Sequence, residues 1–179
     1  MNDDAADVRR VLAGDVDAYT KLVDRYYDRC ARLAYRILGN REDAEEAVQD
    51  AFLRAYRALG GYEDRERFVA WLTRILVNQC RTVRVRTERR EAVFSEDVDP
   101  EFAARHSGLH AAADDWPDID AALAKLPPGQ REAVVLRYTD DLTYEEMARV
   151  TGAGESALKM RVQRAFVRLR ALLQEVSIV

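Results

Sequence analysis

The chain has 179 residues, 48% of them hydrophobic, with a formal net charge of −4 and a pI near 5.4. That length supports one good core or two small ones, and the acidic balance excludes a uniformly basic coat, so charge has to be read segment by segment. No apolar run approaches the roughly 18 residues that span a bilayer, and Met-Asn-Asp-Asp-Ala-Ala lacks the basic start and apolar core of a leader peptide, so a cytoplasmic protein without membrane insertion is expected.

Gly and Pro are scarce, Ala, Leu, Arg and Glu are abundant, and no alternating β-branched run competes, which predicts an all-α fold. A short helix over about Asp4 to Ala13 precedes three long ones. The first runs from about Ala18 to Leu38 and ends at Gly39-Asn40, and the second from about Glu42 to Leu59, ending at Gly60-Gly61. In the second, Asp43, Glu45, Glu46, Gln49 and Asp50 flank Ala47, Val48, Ala51, Phe52, Leu53 and Tyr56. An acidic and amide face repels phosphate and suits a basic protein partner, although an acidic first turn is also ordinary helix capping.

The third helix, about Glu66 to Arg89, carries an apolar stripe of Phe68, Trp71, Leu72, Ile75 and Leu76, with Arg74, Asn78, Arg81, Arg84 and Arg86 mostly on other faces. Arg81, Arg84, Arg86, Arg89 and Arg90 face only Glu88 in the same stretch; they read either as a solvated helix end that complements the macrodipole or as phosphate contacts. From Glu91 to Asp118 eight acidic residues stand against Arg105 alone, with Pro100 and Pro117 as breakers, the pattern of an acidic linker. It reads from composition as a solvated spacer. His106 and His110 lie four apart within it but have no nearby Cys or third ligand, so neither a metal nor a cofactor is expected.

The second block holds helices over about Ile119 to Lys125 and Gly129 to Tyr138, jointed at Pro127-Pro128 and Asp140-Asp141. Thr143 and Glu146 then make a T-x-x-E capping box, Gly152 and Gly154 bracket a tight turn, and an amphipathic helix runs from Glu155 to Leu173. This is the spacing of a helix-turn-helix. Lys159, Arg161, Arg164, Arg168 and Arg170 occur between Ala157 and Arg170 with no acidic residue among them. Leu158, Val162, Ala165, Leu169 and Leu172 repeat on the inward face, which turns Lys159, Met160, Gln163 and Arg164 toward a major groove. Arg and Gln can read purine edges in bidentate fashion, while Lys159 suits phosphate. Arg161 is explained equally by an ion pair with Glu145 or Glu146 and by DNA contact. Cys30 and Cys80 form no C-x-x-C pair and read as buried free thiols. No nucleophile and base pair, phosphate loop or metal cluster argues for an enzyme.

Four segments, Asp43-Ala-Glu-Glu-Ala-Val-Gln-Asp-Ala-Phe-Leu-Arg-Ala-Tyr, Phe68-Val-Ala-Trp-Leu-Thr-Arg-Ile-Leu-Val-Asn, Leu126-Pro-Pro-Gly-Gln-Arg-Glu-Ala-Val-Val-Leu-Arg and Leu142-Thr-Tyr-Glu-Glu-Met-Ala, resemble the marker segments of extracytoplasmic-function sigma factors, the small two-domain members of the sigma-70 family. The resemblance covers about Asp17 to Leu173. It implies two small helical domains joined by an acidic linker: residues 1–90, which bind core RNA polymerase and read and melt the −10 element; a linker over 91–118; and residues 119–179, which contain the helix-turn-helix and read the −35 element.

The same resemblance assigns residues. Glu46, Gln49, Asp50 and Phe52 would dock on the clamp helices of the polymerase largest subunit, and the C-terminal domain would meet the flap. Asn78, Arg81 and Arg84 would touch −10 DNA, together with the loop from Gly60 to Arg67. Tyr62 and Trp71 fall in this region as core residues or as wedges against unstacked bases. Lys159, Met160, Gln163 and Arg164, with Arg161, would contact the −35 element. The linker would thread toward the RNA exit path, where a polyanionic strand mimics nascent RNA. An anti-sigma partner is implied as well.

The chain departs from the family pattern in two places. Thr82 stands where the family has an aspartate, and Ser156-Ala157-Leu158-Lys159-Met160-Arg161 replaces glycine-threonine-valine-lysine-serine-arginine. A helix-turn-helix regulator that works without polymerase remains the alternative, and it leaves the acidic second helix unexplained.

Overall fold

Helix ends fall where small or polar residues satisfy orphan backbone groups. The computed structural model describes residues 4–63, 68–94 and 117–176. The described helices are α1 (Asp4–Leu12), α2 (Val16–Leu38), α3 (Arg41–Ala58), α4 (Phe68–Phe94), α5 (Pro117–Ala124), α6 (Pro128–Tyr138), α7 (Tyr144–Thr151) and α8 (Glu155–Val176), with a 3₁₀ turn at Leu59–Gly61. Asp15 accepts from the Ala18 N–H to start α2, and Gly39, at φ +77°, donates back to the Tyr35 carbonyl to end it. Asn40 immediately caps α3 through the Glu42 and Asp43 N–H groups. The Thr143–Glu146 capping box forms as expected, and Gly152 at φ +71° closes α7.

The helices extend into both ends of the predicted linker. α4 continues to Phe94, and Pro117 opens α5 instead of breaking the chain before it. Proline has no N–H to lose in a first turn, so its position there is the favoured one. Residues 95–116, with His106 and His110, lie outside the described residues, as does the Asp64 to Arg67 part of the loop expected at the −10 element.

In the first block, Leu22, Tyr26, Cys30, Leu33 and Ile37 of α2 face the alanine-rich side of α3 and the apolar face of α4. Ala44, Ala47, Ala51 and Ala55 let α3 approach closely. α4 is buried over a wider arc than its predicted stripe, because it packs against α2, α3 and α7, and Val77, Cys80 and Val83 are buried along with Phe68, Trp71, Leu72 and Leu76. In the second block α8 lies across α5, α6 and α7 around Leu136, Met147, Leu158 and Val162. The two blocks also meet. α6 and α5 rest on α2, α7 rests on α4, and the buried residues of both form one cluster.

Cys30 and Cys80 are buried free thiols, and burial pushes each up to about 12. At pH 8 almost no thiolate is present, so both cysteines are expected to resist an aromatic disulfide reagent in the folded protein. Both should react promptly in denaturant; rapid labelling of either in the native state would contradict the packing.

Candidate nucleic-acid interface

The helix-turn-helix presents α8 as an exposed cationic ridge on a buried apolar seam. Leu158, Val162, Ala165 and Leu169 are buried, while Lys159, Met160, Gln163 and Arg164 are exposed, which is the division the helical repeat predicts. Met160 is 47% exposed, an apolar contact available to a thymine methyl group. Lys159 lies 3.7 Å from Glu155 and 5.5 Å from the centre of the Tyr144 ring, so its ammonium is steered along the helix edge. Among the described residues no carboxylate pairs with Arg161: Glu145 reaches Arg149 at 3.4 Å, and Glu146 closes the capping box. Of the two explanations for Arg161, the ion pair does not form.

The basic face of α4 is differently disposed from its sequence appearance. Arg81 donates from Nε and Nη2 to the two Glu132 oxygens at 3.0 and 2.6 Å, and from Nη1 to the Thr151 carbonyl at 2.9 Å. All three guanidinium nitrogens are thus held by the second block. Arg86 makes a bidentate pair with Glu46 of α3. The Arg86 hydrogen bonds hold the Glu46 carboxyl below its ordinary range, so this strut is intact at neutral pH and is lost on acidification. Arg84 lies 3.8 Å from Glu88, with one terminal nitrogen buried and unpartnered. Asn78 is exposed, and Thr82 donates to its carbonyl. Asn78 shares an open groove with Asp50, Leu53, Arg54, Arg57 and Ile75.

Trp71 is a core residue. It is 7% exposed, with its ring 5.3 Å from Tyr62 and 5.6 Å from Phe68. Tyr62 is half-buried at the edge of the same aromatic cluster, beside the start of the loop.

On α3 one of the four residues expected at the docking face is buried. Gln49 is exposed and Asp50 partly so, but Phe52 is only 8% exposed, its ring stacked on Tyr27 and its carbonyl accepting from the Tyr19 hydroxyl. The apolar surface beside Gln49 and Asp50 belongs instead to Leu53, 55% exposed, and Tyr56, 45% exposed. Helical phase carries the signal for this, since Leu53 lies four residues after Gln49. Arg54 and Arg57, both exposed, are further cations next to Asn78 that the sequence reading passed over. Beside α8, Ile119, Leu123, Tyr138, Phe166 and Val167 line an apolar groove, with Tyr138 and Phe166 edge to face at 5.1 Å. No described helix is long and apolar enough to cross a membrane.

Residues 22–91 match the family Sigma-70 region 2, and residues 117–169 match Sigma-70, region 4. Similar proteins include the ECF RNA polymerase sigma factor SigE of Mycolicibacterium smegmatis, 36% identical over 89% of this chain. The match spans 63% of that relative's length. The ECF RNA polymerase sigma factor SigW of Bacillus subtilis is 30% identical over 94% of this chain and 95% of its own. Among solved structures, the sigma factor RpoE of Bartonella quintana in complex with the anti-sigma factor NepR matches with a TM-score of 0.72 and 28% identity, covering 87% of this chain and 96% of that one. CnrH in complex with the cytosolic domain of CnrY matches at 0.68, also 28% identical, over 97% and 99% of the two chains.

Proposed function

The chain belongs to the sigma-70 family, in its extracytoplasmic-function group, and from that premise we propose that it binds core bacterial RNA polymerase and directs promoter-specific initiation through separate surfaces on α3, α4 and α8. Gln49 and Asp50 dock on the clamp helices of the largest subunit, with Leu53 and Tyr56 supplying apolar contact. Glu46 takes part in docking while also holding Arg86. The apolar groove beside α8 receives the flap. Lys159, Met160, Arg161, Gln163 and Arg164 enter the −35 major groove, where Arg164 and Gln163 read base edges and Lys159 holds phosphate. Asn78, Arg81 and Arg84 contact the −10 region, joined by Arg54 and Arg57; Tyr62 lies where unstacked bases arrive, and Trp71 supports it from beneath.

The observation that carries this reading is the opposite character of two exposed faces, acid and amide on α3 and cationic on α8. A regulator acting alone has no use for the first. The protein works in the cytoplasm, where polymerase and chromosome meet, and an anti-sigma protein that covers its DNA-reading surfaces is its expected regulator, as NepR and CnrY are bound to the solved relatives. The test is reconstitution of the chain with core polymerase on pooled genomic fragments. Start sites that appear only with the chain, and share an upstream and a downstream element, are expected. Tight duplex binding without polymerase, and no transcription with it, would leave a stand-alone regulator as the reading.

A further inference from the structure

The first turns of α8 carry an apolar side chain at the centre of the exposed face. At roughly 100° per residue, the buried Leu158, Val162, Ala165 and Leu169 all fall within about 40° of the point diametrically opposite Met160. Met160 therefore points almost directly away from the seam, and it is 47% exposed. Ser156, Ala157, Gln163 and Arg164 flank it, all exposed and all within about 60° of it around the helix. Lys159 does not cover it, because its ammonium lies on the helix edge, 3.7 Å from Glu155 and over the Tyr144 ring. Among the described residues neither Gln163 nor Arg164 has a side-chain partner, so nothing draws them off the face they share with Met160.

A thioether brings polarisable, flexible apolar surface and no hydrogen-bond donor. In the major groove thymine and cytosine differ at position 4, an acceptor in one and a donor in the other, and thymine alone carries a methyl group on C5. A side chain without a donor, and with sulfur as its only and weak acceptor, has little with which to tell the two position-4 groups apart. What it registers is the methyl group. Ala157 lies three residues earlier, one turn back, and adds a second methyl contact; these two apolar residues stand where the family pattern has threonine and serine. We propose that Met160, backed by Ala157, is a C5-methyl reader, which selects a pyrimidine in the upstream element by its methyl group and accepts 5-methylcytosine in place of thymine. This rests on the reading of α8 as the −35 helix. Arg164 is four residues on, about 6 Å along the helix, against a base-pair step of about 3.4 Å. The guanine that Arg164 reads therefore lies about two steps from the methyl group. Methylation of a cytosine at that place would make the promoter a better target for this chain.

The test begins with selection, by the full chain bound to core polymerase, from duplexes randomised over the upstream element. The selected duplexes should share a thymine within about two base pairs of a guanine. Deoxyuridine in place of that thymine removes only the methyl group and should weaken binding about fourfold, the weight of one buried methyl. At the same position 5-methylcytosine should bind about fourfold more tightly than cytosine. Met160→Ala should bring both ratios close to one while keeping the preference for guanine. Equal binding of thymine and deoxyuridine duplexes by the wild type at every position of the element would overturn the proposal. So would a methyl preference that survives in Met160→Ala, even if that variant binds all duplexes more weakly. The comparisons on the wild type need no variant, so a folding defect in Met160→Ala, judged by circular dichroism, leaves them decisive. Failure to bind core rejects the initiation reading, and the same selection with the chain alone then judges Met160. Core binding and initiation without any selected upstream sequence reject only the methyl reader.

Discussion

Trp71→Ala is expected to lower the unfolding free energy by about 3–5 kcal/mol, the ordinary cost of removing a buried tryptophan. The ring is 7% exposed and sits between Tyr62 and Phe68, and Phe68 in turn packs on Tyr26 of α2 at 5.5 Å. Truncation therefore removes one ring of an aromatic cluster whose hub, Phe68, ties the start of α4 to α2. Against a typical domain stability of about 5–15 kcal/mol, a loss of this size leaves a protein that unfolds at much lower urea. Equilibrium denaturation followed by circular dichroism measures it, and Trp71→Phe should recover a large part. An unchanged midpoint, with promoter melting lost, would make the ring a wedge against bases and not a core residue.

The second large effect is a crossed pair of defects. Arg164→Ala should weaken binding to the −35 element by about 1–3 kcal/mol, the discrimination that one bidentate base contact supplies, while leaving affinity for core polymerase unchanged. Arg164 is exposed on the groove-facing side of α8, so its removal leaves no orphaned partner and the fold should be unaffected. Gln49→Ala with Asp50→Ala should weaken core binding by about 2 kcal/mol or more, the usual threshold of an interface hot spot. Binding of the isolated protein to DNA should not change. Competition binding with labelled core polymerase and band shifts with holoenzyme give the two readouts. The same defect from both variants would reject the assignment of separate surfaces to α3 and α8.

Local chemistry made much of the fold readable. Gly39-Asn40, Thr143 with Glu146, and Gly152 each act within one helical turn, where sequence neighbours settle the outcome, and all three sit where their chemistry places them. The exposed face of α8 was equally plain, since one side of a helix on a single seam follows simple periodicity. α4 was harder because three helices pack on it, so Val77, Cys80 and Val83 are buried outside the apparent stripe. Phe52 is buried and Leu53 exposed because neighbouring positions are 100° apart on a helix and both are apolar; only the packing of Tyr27 and Tyr19 selects between them. The partner of Arg81 could not be read at all. Glu132 is 51 residues away, and nothing local marks it as other than an ordinary helix carboxylate.

Gly39 ends α2 with a hydrogen where every other residue has carbon, and a carbon there would lie 2.9 Å from the Arg131 guanidinium of the second domain. The two domains therefore meet here with the Arg131 guanidinium laid against the backbone that ends α2. Drift at this position is screened chiefly by the left-handed backbone, while an alanine here would displace only the Arg131 guanidinium, the far end of a flexible side chain, from its seat on the other domain.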